Sequence, residues 1–355
     1  MAKCSPEAEL LKTVPYPAFL VCEGIIVKAN RKAANLKIKA GTPIEAVLRT
    51  GAEEYRNFKN GRLCLTLAVN YFEYHASVIK HQGWDLFFID SEFINEDLLM
   101  LAEAVNPLRD PLFCAMLSME CLQADPNLKE NPVLATLNRH LHRLHKTVTD
   151  MSDAACYGCQ IESKMTYCDV GAETSKIIKR ASALLAESEH SFKFNNSISD
   201  EFIGRIDKEK IEHITLAMIA DLVKVSEERK QLKVSLSRES NRLLMEFHCR
   251  LSAEKRKHID DLLFSCYTVP DGLNIKCGSG YHGAILSRNA AASHFGTMLI
   301  NSPKPGYLQF TISIPITEDS FANVRSYIEW PVEYCGGYDQ HLVALSDLLP
   351  DELYK

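Results

Sequence analysis

The chain has 355 residues, 46% of them hydrophobic and 24% charged. Those figures fit a folded protein of two or three domains and exclude a mostly disordered one. With 40 basic residues against 46 acidic, the net charge is −6, which argues against a protein whose main task is coating nucleic acid or an anionic membrane and leaves room for one local basic site.

In chain order, Pro17 to Cys22 reads as a strand, Gly24 as a turn and Ile25 to Ala29 as the hairpin partner. Asn30 is placed to cap a short helix over Arg31 to Leu36. Gly41-Thr42-Pro43 is expected to start another helix toward Leu48. Three strands follow, Arg62 to Val69, Phe72 to Lys80 and Trp84 to Ile89. Next comes a helical stripe: Ile94, Leu98, Leu101, Val105, Leu108, Leu112, Ala115, Met119 and Leu122 recur at spacings of 4 and 3. Asp125-Pro126-Asn127 breaks it, and Leu134, Leu137, Leu141, Leu144, Val148 and Met151 repeat the pattern. These heptads predict a helical hairpin. One hairpin cannot cover both stripes, so a homodimer closing a four-helix bundle is expected.

Beyond Met165 the pattern becomes α/β. Val170 to Glu187 and Lys208 to Val225 read as apolar-striped helices. Phe192 to Phe194, Leu232 to Ser237, Leu243 to Cys249, Gly296 to Asn301 and Tyr307 to Ile314 read as strands. A helix is expected over Ala253 to Phe264, and another after the glycines that begin at Gly278. The tail has a mixed composition and turns acidic near its end. No run approaches the ~20 apolar residues of a spanning helix, and Met1 to Lys12 do not read as an export signal. The expected location is therefore cytoplasmic. The 12 cysteines are scattered, and in a reducing compartment they read as small hydrophobes. Cys156-x-x-Cys159 lacks the second pair that a zinc site would want.

Three short runs carry candidate chemistry. The first helix of the hairpin contains Asn106-Pro107-Leu108-Arg109-Asp110-Pro111-Leu112. The Lys208 to Val225 helix ends in Asp221-Leu222-Val223-Lys224-Val225-Ser226. Gly278-Ser279-Gly280-Tyr281-His282-Gly283-Ala284 precedes the last predicted strands. Glycines there would let backbone N–H groups approach an anion at a helix N-terminus.

In this order the parts resemble a cytosolic sensor histidine kinase with degenerate motifs. The resemblance implies an α+β multidomain fold. A PAS-like sensor would span 10–90 and a dimerisation hairpin 91–155. An α/β sandwich of the histidine kinase and Hsp90 ATPase type would span 160–316, followed by a tail over 317–355. It also implies a catalytic histidine on the first hairpin helix. Arg109, Pro111 and Leu112 match that motif, but Asn106 occupies the phosphoacceptor position. Phosphotransfer needs an imidazole nucleophile, and an amide cannot supply one.

For ATP and Mg²⁺ the resemblance points to Asp221 as cation ligand, Lys224 beside the phosphates, and Gly278, Gly280 and Gly283 beneath them. Asp221 stands where the family has Asn, and a carboxylate suits a hard cation. The family's other glycine box should follow Cys249, where Arg250-Leu251-Ser252-Ala253-Glu254 stands instead. The expectation is therefore weak or absent nucleotide binding and a dimeric scaffold acting on a response regulator or another signalling protein. Two rival readings are an active kinase with a noncanonical acceptor and an anti-sigma-like interaction module. His140, His142 and His145 fall on the polar face of the second hairpin helix, where solvent exposure is expected.

Overall fold

A computed structural model describes residues 11, 14, 16–81, 83–89, 96–128, 130–155, 164–188, 190–227, 232–252, 282–317 and 338–355. The helix expected over Ala253 to Phe264, the turn residues Gly278 and Gly280, and Cys156 and Cys159 lie outside them.

Alternation sets the central strand. β10 (Arg242–Arg250) buries Leu243, Met245, Phe247 and Cys249 and turns the residues between them outward. It pairs antiparallel with β9 (Lys233–Glu239) and β12 (Tyr307–Pro315), with Phe247 opposite Val234 on one side and Phe310 on the other. β7 (Lys193–Asn196) runs parallel to β9, and β11 (Thr297–Asn301) runs antiparallel to β12. Three helices pack into the same core: α5 (Val170–Glu187), α6 (Lys208–Val225) and α7 (His282–Ser293). Asp169 caps α5 by accepting from Ala172 N at 2.9 Å, and Asp207 caps α6 by accepting from Lys210 N at 3.1 Å. The sequence reading missed the short pair β6 (Thr166–Asp169) and β8 (Ile203–Ile206).

The N-terminal unit holds β1 (Ala18–Cys22), β2 (Ile25–Ala29), β3 (Arg62–Val69), β4 (Phe72–His81) and β5 (Trp84–Ile89). Its strand order is β2-β1-β5-β4-β3. Phe19 stacks on Phe87 in its own core, with centroids 4.8 Å apart. Asn30 accepts from Ala33 N and caps α1 (Arg31–Asn35) as expected. Pro43 starts only a single 3-10 turn over Ile44–Ala46, and the helix forms later as α2 (Ala52–Asn57).

The two units share one sheet. β3 pairs with β11, Leu63 opposite Leu299, giving the ten-strand order β2-β1-β5-β4-β3-β11-β12-β10-β9-β7. Glycine permits the approach: a Cβ at Gly61 would lie 2.2 Å from Ile300 O, and Gly61 sits at φ +94°. Glu54 of α2 reinforces the junction by pairing with Arg242 and by accepting from Thr297 and Ser313, each at 3.4 Å. Burial, together with the charge of Arg288 on α7, pushes His75 of β4 down to about 4.

The helical hairpin is α3 (Glu96–Gln123) and α4 (Pro132–Ala155). Its predicted stripe splits in two. Val105, Leu112 and Val148 pack inside the hairpin together with Met116, with Leu141 half-buried beside them. Leu108, Leu122, Leu137 and Leu144 remain 44–50% exposed. No helix among the described residues is long and apolar enough to cross a membrane.

The C-terminal residues 338–355 correct the reading of a plain tail. They form α8 (Gln340–Ala344) and a 3-10 turn over Asp351–Tyr354. Leu345, Leu349 and Tyr354 are buried in the α/β core. Arg139 and Arg143 of α4 bind Asp351 and Asp347 at 2.7 and 2.8 Å.

Candidate functional site

α6 carries the two charged residues singled out from the sequence, because its apolar face fills the core and its last turn faces α7 and the C-terminal segment. Asp221 is buried, and its Oδ2 accepts from Gly283 N at 2.7 Å, at the start of α7. An unpaired amide there would cost roughly 1–3 kcal/mol, so the carboxylate holds one helix N-terminus against another helix. Gly283 has a packing reason of its own: a Cβ would come within 2.8 Å of the Ala217 carbonyl carbon and Met218 N on α6. The sequence reading gave Asp221 to a cation and Gly283 to a phosphate. The structure joins the two residues to each other.

Lys224, one turn on, pairs with Asp347 at 2.6 Å. The same carboxylate binds Arg143. Burial works against the charge of Asp347, but Lys224, Lys146 and Arg143 outweigh it and hold its carboxyl below the usual range. Lys146 pairs with Asp150 at 2.5 Å. Burial opposes its charge as well, yet Asp150, Asp221 and Asp347 keep its pKa raised. The result is a chain of alternating charges from α4 through the C-terminal segment to α6. Among the described residues no group of three or more His, Cys, Asp or Glu is placed to hold a metal ion.

At the other end of α6, buried His294 ties the helix start to the end of α7. Its Nε2 accepts from Asp207 N at 3.0 Å, and its Nδ1 faces Ala290 O at 2.7 Å. This assigns the neutral tautomer with the proton on Nδ1, and burial lowers the pKa. No sequence signal marked His294 or Asp347, since each acts through a partner distant in the chain.

On the hairpin, Asn106 lies within α3, and its side chain is outside the described residues. Leu112 of that motif is buried in the hairpin core, while Arg109 and Pro111 are exposed. The histidines of α4 need correction. His140 is exposed, but His142 is 5% exposed and lies edge-on to Tyr354 with ring centroids 5.0 Å apart. His145 is half-buried against Tyr338. Burial lowers the pKa of both. The C-terminal segment covers what the helix pattern alone assigned to solvent.

That segment contains one strongly shifted group. Buried His341 sits with Nδ1 3.1 Å from Glu212 Oε1 and 3.7 Å from Asp339 Oδ1. Its Nε2 is 3.2 Å from Ile177 O, and Arg180 pairs with Asp339 on the outer side. Burial opposes the charge, but Asp339 and Glu212 prevail and raise the pKa from 6.5 to about 9. This charge stabilises the fold fully below pH 6.5, and the contribution disappears as pH rises through 9. The shift corresponds to roughly 3 kcal/mol. In urea titrations from pH 6 to pH 10, the stability gap between the protein and His341→Gln should close with rising pH. A gap constant over that range would contradict this assignment.

No protein family profile matches the chain, and no curated protein matches it. Solved structures do show a likeness. The chain is similar in structure to histidine kinases. Full-length ShkA in complex with AMPPNP aligns over 62% of this chain and 46% of ShkA, at 17% identity and a TM-score of 0.44. This chain thus spans less than half of ShkA. ThkA in complex with the response regulator TrrA aligns over 89% of this chain and 99% of that one, at 14% identity and a TM-score of 0.36. The Acinetobacter baumannii histidine kinase AdeS aligns over 60% and 98%, at 15% identity and a TM-score of 0.36.

Proposed function

We propose that this chain is a degenerate signalling protein of the sensor histidine kinase type, a cytosolic homodimeric scaffold that does not transfer phosphate. The observation that carries this reading is the use of Asp221 and Lys224. Both side chains are engaged inside the protein, one by the Gly283 amide and the other by Asp347. A magnesium–nucleotide complex held through them would have to share both side chains with these internal partners. Asn106 at the acceptor position and the missing glycine box after Cys249 point the same way.

In this reading the 18–89 unit, a five-strand antiparallel sheet with its helices in the β2–β3 connection, is a PAS-like sensor. The exposed leucines of the hairpin form the seam with a second copy. Output passes by contact to a response regulator or another signalling protein. Residual binding of ATP, with or without Mg²⁺, is weak and poorly base-selective, because Gly278 and Gly280 would offer only backbone and no aspartate selects adenine.

Incubation with ATP labelled at the γ-phosphate is the test. The chain should stay unlabelled. Acid-labile, base-stable label on His140, His142 or His145 would overturn the proposal.

A further inference from the structure

The charge chain around Asp347 has a role that does not depend on nucleotide. Residues 338–355 touch both the hairpin and the α/β unit, and the two attachments differ in kind. Toward the α/β unit the segment is anchored by apolar burial: Ala344, Leu345 and Leu349 lie in the core, and His341 is enclosed by Glu212 and Ile177. Toward the hairpin, partly exposed ion pairs and hydrogen bonds share the attachment with tyrosine rings. Arg139 and Arg143 hold Asp351 and Asp347, Thr136 donates to Asp351 at 2.6 Å, and Asn138 donates to the Tyr354 carbonyl at 2.9 Å. These side chains are partly open to water, with Arg143 45% exposed. Aromatic contacts add to it: Tyr354 lies against His142, and Tyr338 lies against Phe113, His142 and His145.

The seam is also imperfectly filled. A gap of about 20 Å³ lies between α4, α6 and α8, lined by Lys146, Asp150, His213, Ala217, Gln340 and Val343 among others. Ion pairs as exposed as these are screened by salt and open at lower cost than packed apolar contacts.

We propose that residues 338–355 form a releasable clasp that holds the helical hairpin against the α/β unit, closed by Asp347 between Arg143 and Lys224. Closed, it fixes the hairpin relative to α6 and covers His142. Open, it stays rooted in the α/β core at Leu345 and Leu349 while the hairpin moves independently. An acidic surface that competes for Arg139 and Arg143 is the kind of partner that would open it. The test reads the clasp without nucleotide, so its outcome is separate from that of the phosphate-labelling test.

Deuterium exchange on the full chain provides the test. Asp347→Asn keeps the shape and removes the charge. It should raise exchange at least tenfold in residues 350–355 and in the facing part of α4, leaving β9, β10 and β12 unchanged. Raising sodium chloride from 50 to 500 mM should move the same peptides in the unsubstituted protein, which covers a variant that folds poorly. Unchanged exchange in the clasp, or an equal rise in the sheet, would overturn the proposal. In the second case the segment is simply part of the core.

Discussion

Gly61→Ala should uncouple the two halves of the ten-strand sheet. The new Cβ would lie 2.2 Å from Ile300 O and 2.8 Å from Asn301 Cβ, on backbone held at φ +94°. Neither neighbour is the tip of a flexible side chain, so the strand itself must move. Overpacking of this kind costs roughly 1–3 kcal/mol, and a left-handed alanine adds roughly 1–2 kcal/mol. The relief available to the protein is to part β3 from β11, where only three facing pairs join the units: Met298 with Cys64, Leu299 with Leu63, and Ile300 with Arg62. In a Trp330→Phe background, Trp84 of β5 reports on the N-terminal unit alone. In urea its fluorescence transition should move to lower concentration and separate from the far-ultraviolet circular dichroism transition of the whole chain. A variant with an unchanged midpoint and coincident transitions would show that the junction carries no coupling.

Leu144→Lys should convert the protein from dimer to monomer without unfolding it. Leu144 is 50% exposed in the single chain and lies on the stripe that faces away from the hairpin core. A lysine there is harmless to the isolated chain, but in a four-helix seam it would bury an unpaired charge, at a cost of several kcal/mol. Leu141, the position the heptad pattern first suggests, is a poorer probe, since it packs inside the hairpin with Val105 and Leu112. Sedimentation at micromolar concentration should give the dimer mass for the unsubstituted protein and half of it for the variant, with the same far-ultraviolet circular dichroism spectrum and a lower melting temperature, because the partner no longer stabilises the fold. A monomeric unsubstituted protein would remove the dimer from the account.

These cases show where the sequence was legible. α5 follows directly from helical periodicity, because it buries one apolar face, whereas β3 and α6 were legible as apolar runs buried on nearly every side. β6 and β8 are four residues each, and Thr166-Tyr-Cys-Asp169 is too short and mixed to show a period. The β3–β11 junction was not legible, since strand pairing across units leaves no local pattern and Gly61 reads as an ordinary turn residue. The hairpin stripe was found, but not its division into an inner and an outer half. That division depends on which face of each helix meets the other.

At the candidate site, Asp221 and Lys224 were visible as a pair on one helix, and their engagement was not. Lys224 meets Asp347 across 123 residues, and nothing in the acidic tail distinguishes Asp347 from Asp351 or Glu352. His142 went wrong for the same reason: a polar-face position is exposed only until another segment covers it.

In the proposed function the charged residues of α6 serve the fold and not a nucleotide. Isothermal titration of the full chain with ATP, GTP and ADP, with and without Mg²⁺, tests it most directly. The account predicts no heat of binding, or weak binding that does not separate ATP from GTP. It also predicts that Lys224→Ala leaves that result unchanged. Micromolar ATP binding with clear preference over GTP, abolished in Lys224→Ala and Asp221→Ala variants that remain folded, would contradict it.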